Sequence, residues 1–155
     1  MGMDVIGRSP VSSTGEYFRN NVWWWHPLWQ YCELIAPDII PRNNLGHSND
    51  GWGLDHQASA ALATRLDSAI CKGHTAAYAQ ARETHLASLP AESCPICGGS
   101  GMRAEPPAIG PGTLTCNGCN GMGHRPNFET NYPFSVENVR EFMAFLRDCG
   151  GFRIC

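Results

Sequence analysis

CPICGGSG at residues 94–101 and CNGCNGMG at residues 116–123 decide how this chain is organised. Each stretch follows C-x-x-C-x-G-x-G, and 18 residues separate Cys97 from Cys116, which lies inside the spacing range of a four-thiolate zinc site. Zn²⁺ takes four soft ligands in a tetrahedron, each sulfur about 2.3 Å away. Two residues between paired cysteines make a tight turn that aims both sulfurs at one point and leaves nearby N–H groups free to bond them. Gly98, Gly99, Gly118 and Gly121 suit the positive φ and close backbone approach of such turns. The expectation is one zinc held by Cys94, Cys97, Cys116 and Cys119, structural because four thiolates leave no position for water. An iron–sulfur cluster could use the same ligands. Two redox dithiols are the other alternative, but such pairs start a helix in a βαβ setting, and nothing strand-like is expected before Cys94 or Cys116. His124, just past the second pair, is read as a neighbour of the site and not as a ligand.

Residues 91–127 need this support. Glycine, proline and cysteine dominate there, and only Ile96, Met102, Ile109, Leu114 and Met122 are sizeable apolar residues, too few for a self-supporting core. A structural zinc contributes roughly 10–16 kcal/mol. The two motifs resemble the cysteine-rich repeats of DnaJ-type chaperones, whose C-x-x-C-x-G-x-G units pair to bind zinc. The resemblance spans about residues 94–123. It implies a zinc hairpin and not co-chaperone activity, because the one His-Pro of this chain, His26-Pro27, is followed by Leu28 where a J domain needs aspartate. The rest of the chain resembles small bacterial and phage proteins of unassigned function, which implies no mechanism.

Outside the hairpin, the chain reads as helical. Pro27 suits a first helical turn, so a helix is expected from about Trp24 or Pro27 to Ile35, with Leu28, Tyr31, Cys32 and Ile35 at helical spacing. Asp55 caps a helix over about 56–71, striped by Ala58, Leu62, Leu66 and Ile70 and stopped at Gly73. Thr75 caps a third helix to about Leu89, with Tyr78, Ala81, His85 and Leu86 inward and helix two as its antiparallel neighbour. Ser135 caps a fourth, with Phe134 and Val139 at staple positions and Val139, Phe142, Phe145, Leu146 and Cys149 facing in. Residues 1–19 read as an irregular arm, residues 41–54 as turns, and Phe152–Cys155 as a possible short strand. The expected architecture is therefore mainly α: a single domain over 1–155, about four helices around one small core, with the zinc hairpin of 91–127 inserted between helices three and four.

The chain has 155 residues and a formal charge of −3. Four thiolates around one Zn²⁺ carry a net −2, which takes that charge to about −5. General nucleic-acid binding is thereby disfavoured. No apolar run approaches the roughly 18 residues of a membrane span, and no signal peptide is read at the N-terminus. Eight cysteines without an export signal point to a reducing cytoplasm, with thiols as metal ligands or buried groups. Ten of the eleven basic residues are arginine, scattered from Arg8 to Arg153 without a cluster.

Two further stretches carry candidate sites. Trp23, Trp24 and Trp25 cannot all face one core on a helix, so with Trp52 they are the candidate partner-binding residues. The loop 47–56 brings His47, Asn49, Asp50, Asp55 and His56 together in sequence, without the spacing of a known metal loop or catalytic motif. Cys32, Cys71 and Cys149 suit buried helix positions, and Cys155 suits an exposed one. The function these features imply is a non-catalytic zinc-binding module for protein interaction, an adaptor or an inhibitor. A nucleic-acid-binding zinc ribbon with Arg103 and Arg125 beside the knuckles is the first alternative. A small hydrolase built on His47, Asp50 and His56 is the second.

Overall fold

Met3 and Val5 are buried while Asp4 and Ile6, which follow them in turn, are half-exposed, the two-residue alternation of a strand with one face on a core. In the computed structural model, which describes residues 2–155, this stretch is strand β1, Gly2–Gly7. A 3₁₀ turn at Ser13–Gly15 leads to β2, Tyr17–Asn21, which runs antiparallel to β1 with Val5 opposite Phe18. The C-terminal strand, β7 at Phe152–Ile154, pairs antiparallel with the other edge of β1, giving the order β2-β1-β7. The outer edge of β7 is covered in turn by residues 51–54. Phe152 N–H donates to Leu54 O at 2.9 Å, and Ile154 N–H donates to Trp52 O at 2.8 Å.

The described residues also form four α-helices: α1 Val22–Ile35, α2 His56–Cys71, α3 His74–Ser88 and α4 Val136–Asp148. Asn21, Asp55 and Ser135 cap α1, α2 and α4, their side chains accepting from the N–H groups of Trp24, Ala58 and Asn138. Each cap binds one of the amide donors that a helix start leaves over. Between α3 and α4 lie four two-residue strands, β3 Glu92–Ser93, β4 Met102–Arg103, β5 Leu114–Thr115 and β6 His124–Arg125. The described residues form two compact units: residues up to Glu83 with Tyr132–Cys155, and Thr84–Asn131.

The first unit has an aromatic core. Trp25 and Trp29 of α1 stack at 5.5 Å, and Phe142 of α4 meets Phe18 at 5.1 Å and Trp25 edge-on at 5.5 Å. Both buried indoles find acceptors in the loop that follows α1: Trp25 Nε1–H donates to Gly46 O, and Trp29 Nε1–H to Asn44 Oδ1. Those two bonds fold residues 41–47 back over the helix.

The expectation of a mainly α protein is corrected: the fold is mixed α/β, with seven strands in three small sheets among the described residues. The irregular arm of residues 1–19 holds β1 and the start of β2. β1 has glycine at both ends and β2 ends on three polar residues in a row, Arg19, Asn20 and Asn21, so neither announces itself locally, and β1 is completed by a partner about 150 residues away. Helix α1 starts at Val22, which places Pro27 inside it and not in its first turn. The expected pairing of helices two and three gives way to α2 on α4, the most extensive helix contact. Thr75 is buried within α3, while Ala81 and His85 are exposed. Cys71, at the last turn of α2, is exposed where burial was expected.

Phe142 is fully buried among five aromatic rings. Replacing it with alanine should cost about 3–5 kcal/mol in urea unfolding followed by tryptophan fluorescence. Its exposed neighbour Glu141, replaced the same way, should change stability by less than about 0.5 kcal/mol. Comparable losses for the two would contradict this core assignment.

Candidate metal centre

Each cysteine pair sits on a short strand. β3 ends at Ser93, immediately before Cys94, and β5 ends at Thr115, immediately before Cys116. Strands therefore do precede both pairs, contrary to the sequence expectation, but they are two residues long and lead into turns, not helices. The four side chains are buried, from 0 to 3% exposed, and their sulfurs all lie within 4.8 Å of one another. Cys94 Sγ is 3.8 Å from Cys116 Sγ, and Cys97 Sγ is 3.8 Å from Cys119 Sγ. A disulfide would need about 2.05 Å. Four sulfurs in a tetrahedron about 2.3 Å from a central ion have edges of about 3.8 Å. Two of the separations thus match that edge, and the four thiols could hold an ion; this is the only such cluster among the described residues.

A shift of 22 residues maps one half of the centre onto the other. Cys94 N–H donates to Gly123 O and Cys116 N–H to Gly101 O, both at 2.9 Å. Gly99 N–H donates to Cys94 O and Gly121 N–H to Cys116 O, at 3.2 and 3.0 Å. The strands follow the same relation, β3 pairing with β6 and β4 with β5. Gly101 and Gly123 close each motif at φ +78° and +75°. A Cβ on either would lie 2.3 Å from a carbonyl oxygen of the opposite knuckle, Gly121 O or Gly99 O. Both glycines are required twice over, for their backbone angle and for the approach of the two knuckles.

Backbone donors surround the sulfurs, with Gly123 N–H 3.2 Å from Cys119 Sγ. Burial pushes the Cys97 thiol up, but the amides of Gly101 and Gly99 and the thiols of Cys116 and Cys119 outweigh it and draw the group down. For Cys119 burial prevails over the Gly123 amide, and the neighbouring sulfurs push it further up. Opposite shifts within one cluster mean that a first thiolate forms readily and the next is repelled by it. A cation at the centre removes that repulsion. His124 stays outside the sulfur cluster, exposed on β6.

The other candidate residues are dispersed. Trp25 is fully buried, Trp52 packs edge-on to Trp29 at 5.5 Å, Trp24 is half-buried, and Trp23 is 37% exposed with its ring on Tyr132. In the 47–56 loop Asp55 is committed to the α2 cap and Asn49 donates to Gly2 O. His47 turns to residues that sequence reasoning did not connect with it. Its Nδ1 is 2.7 Å from His26 Nδ1, and its Nε2 is 3.2 Å from Glu33 Oε2. Nothing joins His47 to Asp50 or His56 among the described hydrogen bonds. Burial pushes the Cys32 and Cys149 thiols up, which suits packing and not nucleophilic chemistry.

A scan against family models finds none that matches this chain, and comparison with curated proteins and with solved structures finds no match either. Among the described residues, no helix is long and apolar enough to cross a membrane.

Two outcomes follow from this geometry. Gly101→Ala and Gly123→Ala should each lower metal affinity by at least about tenfold, and to similar extents, in competition with a chromogenic chelator; a large effect of one alone would deny the two-fold relation. The second concerns His26, whose pKa is lowered by burial and then by the charge of His47. Its protonation is therefore disfavoured in the folded state, so stability should fall as pH drops below the unfolded value of about 6.5 and through the folded one. His26→Asn should flatten that slope between pH 7.5 and 5. An unchanged slope would show that other groups set it.

Proposed function

We propose that this chain is a zinc-binding module for protein interaction, with a structural metal and no catalytic role, acting as an adaptor or an inhibitor. Zinc is the ion best suited to four buried thiolates at tetrahedral spacing with no vacant position. The metal takes the place of a core in the second unit, where Ile96 is the one large apolar residue packed on the sulfurs.

The observation that carries the interaction reading is an asymmetry between two otherwise matching halves. Met102 is 39% exposed, Leu114 45% and Met122 59%. Under the 22-residue shift their counterparts are His124, Glu92 and Ser100. The same local frame therefore accepts a polar residue at all three places, and the exposed apolar side chains are not demanded by the metal fold. Exposed methionine and leucine favour protein contact, and methionine adapts readily to a partner's surface. Trp23 offers a further exposed aromatic on the first unit, of the type that anchors interfaces.

Nucleic-acid binding has less support. Arg103 directs its guanidinium to Asn117 Oδ1 at 2.7 Å and Ala104 O at 3.2 Å. The second unit also carries Glu92, Glu105 and Glu129 against Arg103 and Arg125, before the zinc–thiolate centre adds its own negative charge. The hydrolase reading would need His47, Asp50 and His56 to converge, and His47 is engaged elsewhere.

The test uses the protein's own counterpart residues. A Met102→His, Leu114→Glu, Met122→Ser variant should bind one zinc per chain, as the wild type should, by elemental analysis of the purified protein. It should lose the partner that wild-type protein crosslinks in a native lysate. Equal capture of the same partner by both would overturn the interaction surface. A wild-type chain purified without zinc, and unable to bind one equivalent added back, would overturn the metal assignment.

A further inference from the structure

A cavity of about 430 Å³ opens on the first unit between the C-terminal half of α1, the second half of α2 and the start of α3. That volume is in the range of small-molecule sites. Leu34, Ile35 and Ala69 give it an apolar wall, and its polar lining is Arg65, Ser68, Lys72 and His74. No carboxylate lines it. Asp38 is turned to Arg65, whose two terminal nitrogens hold it at 2.9 and 3.0 Å while one of them also donates to Ile35 O. Arg65 is thus neutralised and its fork occupied. Lys72, the one lysine of the chain, has no acidic partner among the described residues.

His74 is oriented by a buried hydrogen-bond chain. Tyr31 Oη lies 2.9 Å from both Thr75 Oγ1 and His74 Nδ1. Thr75 is fully buried, and Tyr31 is its only described side-chain partner. With Thr75 donating to Tyr31 and Tyr31 donating to His74 Nδ1, every hydroxyl hydrogen of the chain has an acceptor; the reverse order leaves the Thr75 hydrogen without one. A histidine that accepts at Nδ1 keeps its hydrogen on Nε2. Two residues that line the cavity beside its apolar wall thus carry an ammonium group and an imidazole N–H.

We infer that this cavity binds a small organic carboxylate with an apolar body, its carboxylate held between Lys72 Nζ and His74 Nε2–H and its body laid on Leu34, Ile35 and Ala69. Two single donors suit the two oxygens of a carboxylate. A bidentate phosphate clamp would need the fork of Arg65, which Asp38 already fills. The inference is independent of the zinc centre, since every residue in it belongs to the first unit.

The zinc-loaded full chain is titrated with 4-phenylbutyrate, with 4-phenylbutan-1-ol and with inorganic phosphate, each to about 10 mM, the weak range expected of so small a ligand. Binding is followed by ¹H–¹⁵N correlation spectra. The carboxylate should move the amides of Leu34, Ala69 and His74 saturably, the alcohol should bind about tenfold more weakly, and phosphate should leave them unmoved. Lys72→Met lies at an exposed helix end and should keep the wild-type melting temperature. It should weaken the carboxylate by about tenfold, the loss of one charged hydrogen bond, and leave the alcohol unchanged. Equal binding of carboxylate and alcohol would overturn the assignment. So would unchanged carboxylate affinity in Lys72→Met, matching shifts with phosphate, or no shifts with the carboxylate.

Discussion

Four sulfurs brought within 4.8 Å of one another in a buried position set a condition that the rest of residues 92–125 must meet. As thiolates they repel; as thiols they are small apolar groups, too few to hold a loop-rich segment together. Either way an ion at their centre would hold the segment together, and four thiolates around one such ion would form a tetrahedron. A tetrahedron fed by two chain segments is most simply built by repeating one turn about a two-fold relation. The crossed bonds from Cys94 to Gly123 and from Cys116 to Gly101 follow from that relation, as does the pairing of β3 with β6 and β4 with β5. The strands are two residues long because they only have to deliver and remove the chain on either side of each turn.

The first unit meets its own condition differently. It buries large rings, and two of them carry an N–H that cannot go unbonded in a dry interior. Gly46 O and Asn44 Oδ1 accept those hydrogens, and the loop between α1 and α2 is fixed as a result. Asn44 continues the network by donating to Glu33 at 2.7 Å, and Glu33 meets His47. The polar cluster of His26, His47 and Glu33 is thus a consequence of where the indoles direct the loop.

This explains which parts could be read from the chain. The cysteine set was legible because a metal imposes local spacing, and the helix caps at Asp55 and Ser135 were legible because capping is a three-residue affair. The start of α1 was obscured by Pro27, a residue usually confined to the first turn, while the true cap was Asn21. β1 was not legible: Met3 and Val5 are its only buried apolar residues, and its partners are β2, beyond an irregular connection, and β7 at the far end of the chain. The partners of His47 were not legible either, since His26 and Glu33 reach it only after Trp25 and Trp29 have pinned the intervening loop. Short-range rules register what neighbours in sequence enforce, and these contacts are enforced by the core.

Departures from the 22-residue relation separate what the frame needs from what it merely permits. Ile96 corresponds to Gly118, and the difference has a packing cause: a Cβ on Gly118 would fall 2.4 Å from Ile96 Cδ1. One half supplies the side chain that lies over the sulfurs, and a side chain at 118 would require Ile96 to move aside. Gly98 and Asn120 also differ, yet both take positive φ, +61° and +51°, and asparagine tolerates that region better than most residues. These two differences are thus accounted for by the fold. The outer ones, Met102 with His124, Leu114 with Glu92 and Met122 with Ser100, are not, because each pair shows the same position holding an apolar and a polar residue. A requirement of the frame would have acted on both halves alike, so the apolar member of each pair is not one that the four-cysteine frame demands.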